Sequence, residues 1–264
     1  MAKCIQSVRY YACGYCVNDL HTVFRHQPHE RRSFPTGVFF IRHEKVGHIL
    51  FDTGYSRDIY RLGWKGSLYR ALNPTFVYPA DEIQSQLRQD GISPADVRYL
   101  ILSHLHPDHI GGVKAFPRAK ILLSADAFRR YQQCRMKDLI FRKLLPPWFA
   151  AHCRILTAAQ LGAERNQYGG YCDLFGDGSL KLMQLDGHAK GQLGCLIADQ
   201  LFLAADASWG EAFVGRAAEL RLPAQLVQDN VADYLRNDAL LKRMRADGIR
   251  LCFSHDTSFR KELL

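Results

Sequence analysis

The sequence predicts a mixed α/β domain, and three observations carry that prediction. Short β-rich apolar runs alternate with longer helical stretches along the chain. Every clustered His or Asp follows the end of one of those runs, where a rigid sheet presents loop residues for function. No linker, low-complexity tract or short-period repeat interrupts the pattern. With 264 residues, 47% of them hydrophobic, the chain is long enough for one large core or two small ones. The missing linker decides for a single domain over residues 1–264.

The elements can be justified in order. Residues 34–52 read as two strands around a turn. Val38-Phe39-Phe40-Ile41 and His48-Ile49-Leu50-Phe51 are the β-rich runs, and the mostly polar 42–47 separates them. Asp52-Thr53-Gly54 stops the second strand. Residues 55–92 read as a helical and aromatic insert. Its 58–71 stretch carries Ile59, Tyr60, Leu62, Trp64, Leu68 and Tyr69 with amphipathic spacing. That face is either a packing surface, a homodimer contact or a lip where substrate enters. Residues 80–90 look helical, and Gly91 suits the C-terminus. Ser93-Pro94 opens a short helical turn, Ser as N-cap and Pro at the first position.

Tyr99-Leu100-Ile101-Leu102 and Ile121-Leu122-Leu123 are short apolar strands. Residues 124–160 read as mainly helical, interrupted by Pro146-Pro147. In the second half, 180–185 forms a strand, and 194–197 with 201–204 forms a strand pair. Residues 222–248 read as mostly helix, and Arg250-Leu251-Cys252-Phe253 is a final strand.

Bulk properties exclude several classes. Net charge is +9, which raises nucleic acid as a partner. The basic residues are dispersed, however: Arg31-Arg32, Arg129-Arg130 and the group Lys242, Arg243, Arg245 stand far apart. A solvated surface suited to anionic substrates is the better reading, so nucleic acid is not expected. No apolar run is long enough to span a membrane, and the first residues lack the apolar core of a secretory signal. A cytoplasmic protein acting on a small-molecule substrate is the expectation. Eight Cys are too sparse for a disulfide scaffold. Cys13-Gly14-Tyr15-Cys16 has redox or zinc spacing but no second pair, and ordinary thiols are expected there.

The densest chemistry lies in His104-Leu105-His106-Pro107-Asp108-His109. Imidazole nitrogen and carboxylate oxygen both bind Zn²⁺, Fe or Mn. In an extended segment His104 and His106 project to one side; Asp108 continues that parity and His109 breaks it. One loop can thus offer two ligands to one metal and two to a second. An ordinary solvated loop has no need of three imidazoles, and an empty cluster repels itself when protonated. His188, Asp206 and His255 each follow a strand end. Alone, each reads as a turn or loop residue; beside the anchor loop each is a candidate ligand. Asp52 either orients a ligand or simply closes its turn. His21, His26, His29, His43, His48 and His152 lack comparable clustering and read as structural or surface residues.

SHLHPDHIGG at 103–112, LDGHAKGQLG at 185–194, AAD at 204–206, SHD at 254–256 and FDTG at 51–54 together resemble the metallo-β-lactamase superfamily. The resemblance implies a four-layer αβ/βα sandwich with two central mixed β-sheets, outer helices and a dinuclear metal site on one edge. It implies that His104, His106 and His188 hold one metal, that Asp108, His109 and His255 hold the second, and that Asp206 bridges them. The implied cofactors are two divalent ions, Zn by default, with Fe or Mn accepting the same donors. The implied enzyme is a hydrolase whose metal-bridging hydroxide cleaves an ester-type bond. Asp108 is its catalytic residue, holding the hydroxide and passing a proton to the leaving group.

Residue types narrow the choice. His106 stands where iron–flavin oxygen reductases of the superfamily have Glu, and Asp206 where one β-lactamase subclass has Cys. Thioesterases resembling glyoxalase II, lactonases and small phosphodiesterases remain. FFIRHEKVGHILFDTG at 39–54, the insert and the terminal SHD are most similar to the N-acyl homoserine lactonase branch. A lactone is therefore the leading substrate, with a thioester or phosphodiester as the alternative and an idle metal-binding module as the third reading. Those lactonases share a Tyr three residues after the bridging Asp. Here that position is Trp209, a donor-only indole that either contacts substrate or packs under the site.

Overall fold

A computed structural model describes residues 4–256 and 261–264. Among these residues the strands fall into two sheets. The first is seven-stranded. It contains β1 (Ile5–Asp19), β2 (Arg31–His43), β3 (Gly47–Phe51), β4 (Thr75–Phe76), β5 (Val97–Ile101), β6 (Lys120–Ser124) and β7 (Cys153–Leu156), in the order β4-β1-β2-β3-β5-β6-β7. The second is six-stranded. It contains β8 (Glu164–Asn166), β9 (Gly169–Asp173), β10 (Leu180–Gln184), β11 (Leu193–Ile197), β12 (Leu201–Leu203) and β13 (Arg250–Cys252), in the order β13-β12-β11-β10-β9-β8. Both are mixed: β3, β5, β6 and β7 run parallel, as do β12 and β13, while the other pairs are antiparallel.

Side-chain alternation builds four layers from these sheets. On β2, Phe39 and Ile41 face the second sheet, while Val38 and Phe40 face outward. On β3, Ile49 and Phe51 face inward and Leu50 outward. The inward set meets Leu180, Leu182, Leu193, Cys195 and Leu203 of the second sheet in one sandwich core. The outward set packs under helices, including Ile83 and Leu87 of Ile83–Gln89. On the far side, Leu196, Phe202 and Leu251 pack against Leu241 and Met244 of the helix Val231–Ala246. Strands covered on both faces show continuous apolar runs rather than strict alternation. That is why Val38-Phe39-Phe40-Ile41 was readable as a strand. The αβ/βα sandwich expected from the motifs is the fold observed.

Several local expectations need correction. Residues 124–160 are helical only in short pieces, and a strand as well as Pro146-Pro147 interrupts them. After the helix Ala125–Gln133 come short 3-10 turns and one helical turn, and then β7. The four residues of β7 are too short a run to outweigh the helical stretch around them. The amphipathic 58–71 stretch is broken: Arg57–Arg61 is a 3-10 turn and Trp64–Leu72 a separate helix. Between them Gly63 has φ of 69°, a left-handed conformation that glycine adopts freely and that stops a helix. Residues 222–248 are mostly helix, as expected, in two pieces, Leu222–Leu226 and Val231–Ala246, the second capped by the Asn230 side chain. β1 carries no clean period-two signal, because Val8 and Tyr10 are buried on one face, Tyr11 and Cys13 on the other, and register shifts fall between Ile5 and Ser7 and between Ala12 and Tyr15.

The loop after β5 lies tightly on the turn after β3. A Cβ on Gly111 would stand 2.5 Å from the Ser56 nitrogen and 2.6 Å from the Gly54 carbonyl oxygen. These are backbone atoms with no room to yield. Gly111→Ala is expected to cost about 1–3 kcal/mol by overpacking, read as a lower urea midpoint at unchanged m-value. Stability equal to the unsubstituted protein would show the loop free to move.

Candidate metal centre

All seven ligand candidates converge on one edge of the sandwich, each placed by a strand end. β5 leads into His104 and His106, and the short helix Pro107–Ile110 carries Asp108 and His109. Pro107 occupies its first turn, where a missing N–H costs nothing. His188 follows β10, Asp206 follows β12 and His255 follows β13. The ligand atoms fall into two groups, each within 4.8 Å: His104, His106 and His188 in one, and Asp108, His109, Asp206 and His255 in the other.

The distances show how the groups join. His106 Nδ1 is 3.0 Å from both His104 Nε2 and His188 Nε2. Asp206 Oδ2 is 3.3 Å from His109 Nε2 and His255 Nε2, 3.4 Å from His188 Nε2 and 3.9 Å from His104 Nε2. One oxygen therefore touches imidazoles of both groups. Asp108 Oδ2 lies 3.5 Å from His255 Nε2 and 3.6 Å from His109 Nε2.

A metal fits these residues on two observations. Asp206 Oδ1 is buried without a hydrogen-bond partner, although an unpaired buried carboxylate oxygen is costly. In addition, the three nitrogens around His106 face one another at hydrogen-bond distance, a convergence that a shared cation would justify.

Electrostatics separates the two groups. Burial, then the charges of its histidine neighbours, holds His104 and His106 well below the usual histidine range. Burial also lowers His188, against the pull of Asp206. For His109, burial opposes charge, but Asp206, Asp52 and Asp108 outweigh it and hold the imidazole well above its ordinary range. His255 is pushed up to about 9, burial being overcome by Asp206 and Asp108. Asp206 itself lies well below the ordinary carboxylate range, because His255 and His109 outweigh its burial.

A second layer orients the ligands. Asp52 is wholly buried with φ of 65°. Its Oδ2 accepts from His109 Nδ1 at 2.8 Å and from Ser103 Oγ at 2.7 Å, and its Oδ1 accepts from the Ser103 amide at 2.7 Å. Asp52 thus closes the turn and also holds the Nδ1 side of His109, an orientation that would leave Nε2 facing a metal. Two further supports had no signal in the sequence. Gln228 Oε1 lies 3.0 Å from His188 Nδ1, and the Pro35 carbonyl lies 2.8 Å from His255 Nδ1. Both come from segments 40 and 220 residues away from their histidines.

The centre lies in a cavity of about 500 Å³. Its walls include Leu68, Leu72, Ile140, Val227 and Trp209. Trp209 packs edge-on against Phe34, with ring centroids 5.0 Å apart, and its ring centroid is 6.0 Å from that of His255. Cys13 and Cys16 are free, buried thiols on β1, and burial raises both above the ordinary thiol range. His43 is buried against Ser179 and Asp177, while His29 pairs with Asp19 at the surface.

A metallo-beta-lactamase superfamily model matches residues 32–138, the span that holds the anchor loop. Over that span the chain is similar to the metallo-beta-lactamase superfamily. Among curated proteins, the N-acyl homoserine lactonase AttM of Azorhizobium caulinodans is 30% identical over 187 residues, covering 66% of this chain and 65% of that protein. AttM of Agrobacterium fabrum is 27% identical over the same shares. The chain thus spans just under two thirds, 65%, of the length of the curated relatives it matches. Among solved structures, an N-acyl homoserine lactone hydrolase with N-hexanoyl-L-homoserine bound at its metal centre aligns with a TM-score of 0.75. It is 19% identical and covers 98% of this chain and 100% of that one, a likeness of fold alone.

Two outcomes are expected of the isolated protein. Asp52→Asn keeps the shape and tolerates the left-handed backbone, yet removes the charge that holds His109. It should weaken zinc binding about 10–100-fold by competition with a chelator, whereas unchanged affinity would reduce Asp52 to a turn residue. In the metal-free protein His109 and His255 carry protons at pH 7, and a metal must displace them. Zinc binding should therefore release protons and tighten as pH rises towards 9. Calorimetry in buffers of different ionisation enthalpy measures the release, and a buffer-independent heat would refute it.

Proposed function

We propose that this chain is a dinuclear metal-dependent hydrolase that opens lactone rings bearing an apolar acyl tail. The observation that carries the reading is the position of Asp206, shared between two ligand groups on the floor of a largely apolar cavity. The relatives named as N-acyl homoserine lactonases support the choice of bond.

His104, His106 and His188 would hold one divalent ion, Asp108, His109 and His255 the other, and Asp206 both, with zinc the default. Such ions lower the pKa of bound water towards roughly 7 and polarise a carbonyl oxygen. The chain's own residues do the rest. Asp108 has one oxygen beside His109 and His255; the other takes the proton of the attacking water and hands it to the ring oxygen as the C–O bond breaks. Asp52, Gln228 and the Pro35 carbonyl keep three imidazoles aimed. Leu68, Leu72, Ile140 and Val227 cover the acyl tail and exclude water. Trp209 forms a wall beside His255. A charged phosphodiester gains little from such walls, which favours the neutral ester.

The zinc-loaded protein should open an N-acyl homoserine lactone faster than it cleaves a glutathione thioester or bis-p-nitrophenyl phosphate. Asp108→Asn should lower the lactone rate about 10²–10⁴-fold, and His106→Ala should lose both metal and activity while the fold survives. Cleavage of the phosphodiester alone would sink the proposal, as would two bound metals with no turnover of any of the three.

A further inference from the structure

The segment between β3 and β5 brings a polar cluster to the cavity that the metal centre does not use. The hydroxyls of Tyr55 and Tyr69 are 2.7 Å apart. The Asn73 amide nitrogen donates to Tyr69 Oη at 3.0 Å and to Tyr55 Oη at 3.4 Å, while the Asn73 side-chain oxygen accepts from Asn18 Nδ2 at 3.0 Å. Both amide hydrogens of Asn73 are thereby committed.

The hydroxyl protons can be counted. Each phenol owns one proton and accepts up to two bonds. One tyrosine donates to the other, and the second tyrosine's proton then has no acceptor among the described residues. Burial decides which proton is left over. Tyr55 is wholly buried and stands off the cavity, so an unpaired proton there would carry a full desolvation penalty. Tyr69 lines the cavity with Asn73, His106 and Asp108. Tyr55 therefore donates, Tyr69 accepts twice, and the Tyr69 proton remains for whatever occupies the cavity. Burial, then the negative charge of Asp108, holds both phenols well above their ordinary range, so both stay protonated at neutral pH.

We propose that Tyr69 is a catalytic hydrogen-bond donor to substrate, its hydroxyl binding the lactone carbonyl oxygen as negative charge develops there. The inference rests on the hydrolase reading. It supplies from the insert the phenol that position 209 lacks, where an indole wedged against Phe34 stands instead. No proton changes owner at Tyr69: water adds to the carbonyl carbon, the ring C–O bond breaks, and the proton reaches the leaving oxygen through Asp108. A donor fixed by two accepted bonds needs no reorganisation during the reaction.

The test compares Tyr69→Phe with the double variant Tyr55→Phe/Tyr69→Phe. The single variant orphans the Tyr55 proton and tests stability and function together; the double variant removes the orphan. The readouts are kcat and KM for the lactone, zinc content, thermal midpoint, and the Kd of a hydrolysis-resistant γ-lactam with the same acyl tail. Both variants should bind zinc normally, lose about 10²-fold in kcat and bind the lactam about five- to tenfold more weakly. The double variant should regain thermal stability but not rate. Rate recovering along with stability would overturn the proposal, as would kcat and lactam affinity within about twofold of the unsubstituted protein. An unsubstituted protein that binds the lactam yet opens no lactone would remove the hydrolase reading and leave Tyr69 to be judged on affinity. Neither binding nor opening would overturn both.

Discussion

Asp206 Oδ2 lies within 3.3 to 3.9 Å of four imidazole nitrogens drawn from three separate segments. A carboxylate buried this deeply is tolerated only where cations neutralise it. His109 and His255 meet that need as protonated imidazoles in the metal-free protein, and divalent ions would meet it more strongly when bound. Burial, and then the charge of histidine neighbours, holds His104 and His106 neutral against the pull of Asp206. Two groups of histidines with opposite proton preferences thus share one negative charge.

That balance depends on the sheets. Asp206 leaves β12 and His255 leaves its parallel neighbour β13, so their side chains arrive together at one edge. The anchor loop leaves β5, whose parallel neighbour β3 delivers Asp52. The sandwich core between the sheets, with Phe39, Phe51, Leu182 and Leu203 buried in it, sets how closely the two edges approach. Gly111 and Gly112 then let the anchor loop rest on the turn after β3, where any Cβ would meet backbone. Packing far from the candidate centre therefore fixes distances within it.

The insert adds a second kind of chemistry to the same cavity. Its apolar side chains Leu68 and Leu72 face the cavity with Tyr69 and Asn73. The spacing of 58–71 suggests a packing face, a homodimer contact or a lip for substrate, and the helix Trp64–Leu72 borders the cavity while leaving Trp64 and Leu72 exposed. What the spacing could not show was the bond between Tyr69 and Tyr55, because 14 residues and a broken helix separate them. Trp209 was legible as a departure from the lactonase pattern, but only packing reveals that Phe24 and Phe34 hold its ring.

By itself the sequence determined the candidate ligand types and most of the strands that deliver them. Ligand chemistry is local: three imidazoles and a carboxylate within six residues admit few readings, and doubly covered strands betray themselves by unbroken apolar runs. The motifs pointed to the remaining candidate ligands and carried the sandwich. The tertiary structure alone decided which groups orient, neutralise and complete those ligands. Gln228, the Pro35 carbonyl and the Tyr55–Tyr69 pair act by contact across long sequence separations. A hydrogen bond of that kind leaves no period or spacing in the chain, since it depends on where two sheets and an insert come to rest.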